Sequence, residues 1–125
     1  MSKGRVIIVD DDKEFLEELR ELLELSGHEV FGTAQSGLVQ EQADKIKPDV
    51  ILLDLKMRDM NGFEVAQELR YFTATMGIPI IAMTGFFQEK EHIPLLNICG
   101  IQKCLKKPFN PLDVISAIEG VVQKN

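Results

Sequence analysis

The sequence is short of cysteine: 125 residues hold two, Cys99 and Cys104. No CxxC and no Cys/His pair at zinc spacing occurs, which excludes a zinc module and makes a disulfide framework unexpected. Reduced thiols in a cytoplasmic protein are the expectation. Long apolar runs are also missing; none approaches the ~18 residues of a membrane span. Met1-Ser2-Lys3-Gly4-Arg5 leads straight into an apolar run, so no secretory leader is expected. Basic charge is in the minority, with 14 Lys and Arg against 20 Asp and Glu and a net charge of −6. A chain without a Lys/Arg surplus is poorly suited to neutralise phosphates, so no direct nucleic-acid binding is expected of it. Repeats, linkers and low-complexity tracts are absent, and residues 1–125 read as one domain, long enough for a proper core.

What is present is a set of short apolar runs, each ending on a chemically useful residue. Val6-Ile7-Ile8-Val9 runs into Asp10-Asp11-Asp12, Val50-Ile51-Leu52-Leu53 into Asp54, and Ile80-Ile81-Ala82-Met83 into Thr84. A weaker run ends Leu105-Lys106-Lys107-Pro108. Such runs read as strands buried on both faces of a parallel sheet. In open parallel sheets, ligands bind at the carboxyl ends of the strands. The carboxylates, hydroxyl and ammonium are therefore expected at one edge.

Helical patterns alternate with these runs. Strands are expected over residues 5–10, 30–34, 49–54, 78–83 and 101–105. Helices are expected over 12–25, 37–47, from Gly62 to about Thr75, and from Pro111 to about Gln123. Phe15, Leu16, Leu19, Leu22 and Leu23 supply the 3.6-residue apolar period of the first. Pro94 makes the helix within 86–99 short, displaced or begun near that proline. Asn110-Pro111 reads as a helix cap followed by proline at the first helical position. Crossovers of this length imply a parallel sheet with helices on both faces.

Each site residue has a plain structural reading. Asp54 alone would be a turn or cap residue, and Thr84 and Lys107 alone a strand-end hydroxyl and a solvated lysine. Asp10 or Asp11 can cap the first helix, Asp11 with Glu14 at capping-box spacing, while Asp12 has only a capping role. Together they ask for more. Two like charges ~4 Å apart cost roughly 4 kcal/mol at an effective dielectric of about 20. Lys107 supplies one compensating cation, and a hard divalent metal with oxygen ligands suits the rest. A carboxylate beside such a metal and a lysine can attack phosphorus and form an aspartyl phosphate.

The ordered motifs resemble the receiver domain of two-component response regulators, from end to end. They are Val9-Asp10-Asp11-Asp12, Pro48-Asp49-Val50-Ile51-Leu52-Leu53-Asp54, Met60-Asn61-Gly62-Phe63-Glu64, Met83-Thr84-Gly85 and Lys106-Lys107-Pro108-Phe109. The resemblance implies a doubly wound, five-stranded parallel sheet of flavodoxin-like order 2-1-3-4-5 with five helices. It implies that Asp54 is the phosphoacceptor. Asp10, Asp11, Asp54 and the Lys56 backbone carbonyl would hold Mg²⁺ or Mn²⁺. Thr84 would be the switch hydroxyl and Lys107 the phosphoryl contact, with a cis Lys107–Pro108 bond. The implied partners are a histidine kinase or phosphotransfer protein, and a downstream protein or fused output domain at residues 86–123. Dimerisation on phosphorylation is compatible with this, and no membrane contact is implied.

The sequence departs from the family pattern in places. Arg58 stands where proline is common, and Gly85 where alanine usually follows the switch hydroxyl. Cys104 replaces the aromatic, usually Tyr, that turns inward on activation, so an aromatic-rotamer switch cannot operate there. Phe86 or Phe87 is the substitute aromatic within reach in sequence. Lys56 and Phe86 border the path of the hydrolytic water, so a long-lived aspartyl phosphate with slow autodephosphorylation is expected, readable as phosphate loss from purified phosphoprotein. Two other readings compete with a non-enzymatic switch. One is an Asp/Mg²⁺ phosphohydrolase, disfavoured because Lys56 stands where dehalogenase-type phosphatases carry a second Asp and because no cap domain is present. The other is a constitutive interaction module, disfavoured by the complete acidic, Thr and Lys set.

Overall fold

A computed structural model describes residues 4–57, 61–85 and 93–122, with only the backbone for 93–95. Along the chain run β1 (Arg5–Val9), α1 (Lys13–Leu25), β2 (Glu29–Thr33), α2 (Val39–Ile46) and β3 (Val50–Asp54). These are followed by α3 (Gly62–Tyr71), β4 (Ile80–Thr84), α4 (Ile93–Ile98), β5 (Ile101–Lys106) and α5 (Pro111–Val122). The sheet has five parallel strands in the order β2-β1-β3-β4-β5. This is the predicted doubly wound architecture.

The strand alternation of period two divides the core. Ile7, Val9, Ile51 and Leu53 point to one face, where α2 and α3 contribute Val39, Ala43, Val65, Ala66 and Leu69. Val6, Ile8, Val50 and Leu52 point to the other, against Leu16, Leu19 and Leu23 of α1 and Val114, Ile118 and Val121 of α5. Strands buried on both sides explain why these runs are continuously apolar.

Several boundaries differ from expectation, each for a local reason. α1 is capped by Asp12, whose Oδ1 accepts from the Phe15 amide at 3.2 Å. The cap position thus falls to Asp12 rather than to Asp10 or Asp11. A 3-10 turn over Ser36–Leu38 precedes α2, so that helix proper starts later than residue 37. α3 ends at Tyr71 rather than near Thr75, because Phe72 is extended and the Thr75 hydroxyl donates to the Leu69 carbonyl at 2.7 Å. β4 starts two residues later than expected and ends one later, so that it includes Thr84. α4 is short and holds Pro94 in its first turn, where proline is tolerated. α5 starts at Pro111, with Asn110 Oδ1 accepting from the Leu112 amide at 2.9 Å. Arg58, Phe86 and Phe87, on which three expectations rested, lie outside the described residues.

Candidate functional site at the carboxyl edge of the sheet

Parallel pairing brings the ends of β1, β3, β4 and β5 to one edge. Asp10 follows β1 and its amide donates to the Thr33 carbonyl at 3.1 Å. Asp54 is the last residue of β3, Thr84 the last of β4, and Lys107 follows β5. The Lys107 amide donates to the Thr84 carbonyl at 2.6 Å, which carries the strand pairing one residue past β5. The Lys107–Pro108 peptide is cis, as the motif implied.

The carboxylates converge. One oxygen each from Asp10, Asp11 and Asp54 lie within 4.8 Å of one another. Asp10 is fully buried and Asp54 nearly so. Asp10 divides its acceptors between two groups: Oδ1 takes the Asp12 amide at 2.9 Å, and Oδ2 takes the Lys107 ammonium at 2.6 Å. Asp54 Oδ1 accepts from the Lys56 amide at 3.1 Å, and its Oδ2 lies 3.7 Å from Lys107 Nζ. Lys107 therefore spans both buried carboxylates. The Lys56 side chain is exposed while its backbone serves the site.

Burial pushes the Asp54 carboxyl up to about 6. The Lys56 amide works against that rise, the Asp10 charge adds to it, and Lys107 opposes it. Two buried acids facing one ammonium keep an unbalanced negative charge. The donors are all oxygen, which fits Mg²⁺ or Mn²⁺ and not a soft metal.

Two contacts at this edge had no signal as site features in the sequence. Gly62, which opens α3, packs so close to β3 that an added Cβ would lie 2.5 Å from the Asp54 carbonyl oxygen and 2.6 Å from Leu55 Cα. Only glycine lets α3 start there. Phe15, which reads as a core residue by periodicity, carries the Lys107 ammonium 4.1 Å from its ring centroid. At Gly85, by contrast, an added Cβ meets nothing within 4 Å among the described residues. Cys99 is buried, Cys104 is half-buried, and both are free thiols whose ionisation burial pushes up.

The family model described as response regulator receiver domain matches residues 6–119. PilH of Pseudomonas aeruginosa is 31% identical over 119 residues, covering 95% of this chain and 98% of that protein. A CpxR homologue of Haemophilus influenzae, named as a transcriptional regulatory protein, is 32% identical over 122 residues, covering 98% of this chain. The chain spans about half the length of that regulator, 52%. Among solved structures, the Vibrio cholerae chemotaxis protein CheY4 superposes with a TM-score of 0.89 at 28% identity, covering 94% of this chain and 98% of that one. A CheY-like receiver domain from Methanospirillum hungatei also gives 0.89 at 28% identity, over 98% and 96% of the two chains.

Proposed function

The chain belongs to the response-regulator receiver family of two-component signalling, and on that premise we propose that it is a phosphorylation-dependent switch with Asp54 as phosphoacceptor. The donor is the phosphohistidine of a histidine kinase or phosphotransfer protein, and the setting is cytoplasmic. The observation that carries this reading is the Lys107 bridge, 2.6 Å from Asp10 and 3.7 Å from Asp54. It brings a cation within 3.7 Å of the carboxylate that is to receive a phosphoryl group.

The step needs little covalent machinery. An Asp54 carboxylate oxygen forms a bond to phosphorus as the phosphorus–nitrogen bond of the donor breaks. The imidazole leaves with the electron pair and takes a proton from water. Above pH ~6, Asp54 is the carboxylate that this attack requires. The carboxylates of Asp10, Asp11 and Asp54 and the Lys56 carbonyl would hold Mg²⁺ or Mn²⁺. When bound, the ion supplies positive charge against the incoming phosphoryl oxygens.

Lys107 then turns from Asp10 to a phosphoryl oxygen, and the Thr84 hydroxyl donates to another. The added charge of about −1.5 to −2 shifts an existing two-state equilibrium. A full swing from 1:99 to 99:1 needs roughly 5.5 kcal/mol of differential stabilisation. Both responding residues sit at the ends of β4 and β5, so the output surface lies within residues 86–123. It serves a separate downstream protein, a fused output domain or a second copy.

The test is Phos-tag separation after incubation with acetyl phosphate and Mg²⁺. One retarded band is expected for the parent protein and none for Asp54→Ala. Retardation that survives Asp54→Ala rejects the assignment.

A further inference from the structure

We propose that Phe15 is a positioning residue for phosphoryl transfer: its ring face carries the Lys107 ammonium and holds it between Asp10 and Asp54. The inference rests on the switch reading above and adds a hydrocarbon ring that has no ligand atom of its own to offer a metal or a phosphoryl group.

The geometry begins with the distance of 4.1 Å from Lys107 Nζ to the ring centroid. That is well within the ~6 Å over which a ring quadrupole attracts a cation. Lys107 has only 20% of its side chain exposed. Partial loss of water makes the ring contact matter more there than at the surface. Phe15 is placed by the same turn that places the Asp10 carboxylate. Its amide donates to Asp12 Oδ1, and the Asp12 amide donates to Asp10 Oδ1. The ring also meets Phe109 edge to face, with centroids 5.8 Å apart and planes at 75°. Phe109 follows Lys107 by two residues, so one strand end supplies both the cation and a ring that packs against its seat.

Such a seat answers a specific problem. Asp10 holds Lys107 at 2.6 Å, while the carboxylate to be phosphorylated is 3.7 Å away. A lysine supported by Asp10 alone would stay there. The π face is broad and weakly directional, so the ammonium can move toward a phosphoryl group on Asp54 without losing all support at Asp10. An aliphatic side chain of similar volume keeps the packing between α1 and α5 but removes the quadrupole.

The test compares Phe15→Leu, Phe15→Tyr and Phe15→Trp in the full chain with acetyl phosphate and Mg²⁺, with thermal midpoints measured alongside. Phe15→Leu is expected to slow phosphorylation by roughly 3- to 10-fold, with Tyr or Trp keeping the rate within about twofold. Proton–carbon NMR gives a second readout without turnover. The Lys107 ε-methylene protons are expected upfield in the parent protein through the ring current, and at their ordinary position in Phe15→Leu. The inference is overturned if Phe15→Leu labels at the parental rate. It is also overturned if Tyr and Trp are as slow as Leu at equal midpoints, or if the parental ε protons are unshifted. A parent protein that takes no label at all rejects the switch reading, and this inference with it.

Discussion

Burial raises the Asp54 carboxyl from 3.8 to about 6, and a raised acid has a definite linkage to stability. Between those two values the native state holds more protons at this site than the unfolded chain. Stability is therefore lost as pH rises through the window, and the loss is complete above pH ~6. Removing the charge should recover it. Asp54→Asn is expected to be more stable than the parent at pH 7.5 without divalent metal, by up to about 3 kcal/mol. At pH 4 the two should unfold alike. Urea denaturation at both pH values checks this, and equal midpoints at pH 7.5 would contradict it. Asp10, Asp54, Thr84 and Lys107 were legible as a set, because each ends a strand run or follows one, although each alone has a plain structural reading. Phe15 was not, because a phenylalanine at helical period looks the same whether its ring meets the core or an ammonium. Gly62 was legible as a helix start, but not as a site where the Asp54 backbone leaves no room for a Cβ.

At the scale of elements, Arg70 of α3 shows how α4 and β5 are tied down. Its guanidinium donates to four carbonyls: Cys99 at 2.9 Å, Gly100 at 3.0 Å, Met76 at 2.9 Å and Ile78 at 2.8 Å. These join the end of α3, the turn before β4 and the tight α4–β5 connection, where Gly100 has a φ of +67°. Half-buried in this position, Arg70 has its ionisation lowered by desolvation. Arg70→Ala leaves these acceptors to water or to nothing, and is expected to cost about 2–4 kcal/mol. Amides of residues 96–101 should exchange faster in deuterium. Arg70→Lys should not restore them, since an ammonium lacks the planar fork. Unchanged exchange at 96–101 would refute the clamp. The short α4 was foreseeable from Pro94, whose ring limits it to the first turn. The early end of α3 was not, because the Thr75 hydroxyl takes a helical carbonyl from outside the helix.

Over the whole molecule, an acidic chain of net charge −6 gathers three carboxylates at one edge of its sheet. A divalent cation that binds there and not to the unfolded chain must raise stability by mass action. At tenfold excess over its Kd, Mg²⁺ is expected to add about 1.4 kcal/mol. Chelation should reverse the gain, and Asp11→Asn should diminish it. A thermal midpoint that ignores Mg²⁺ would count against the metal assignment. Among the described residues no helix is long and apolar enough to cross a membrane, in line with the lack of any long apolar run.

By itself the sequence determined the alternating parallel fold and the strand ends that bear the chemistry. Both follow from local period and from the backbone's need to pair buried strands. The tertiary structure decided what those ends do to one another. The Lys107 bridge spans 97 positions to Asp10, and no local pattern encodes a distance of 2.6 Å across that separation. The same holds for the ring beneath that lysine and the raised Asp54. Pairwise electrostatics and desolvation depend on which groups the folded sheet brings within a few ångströms, and that is settled only when the strands are in register.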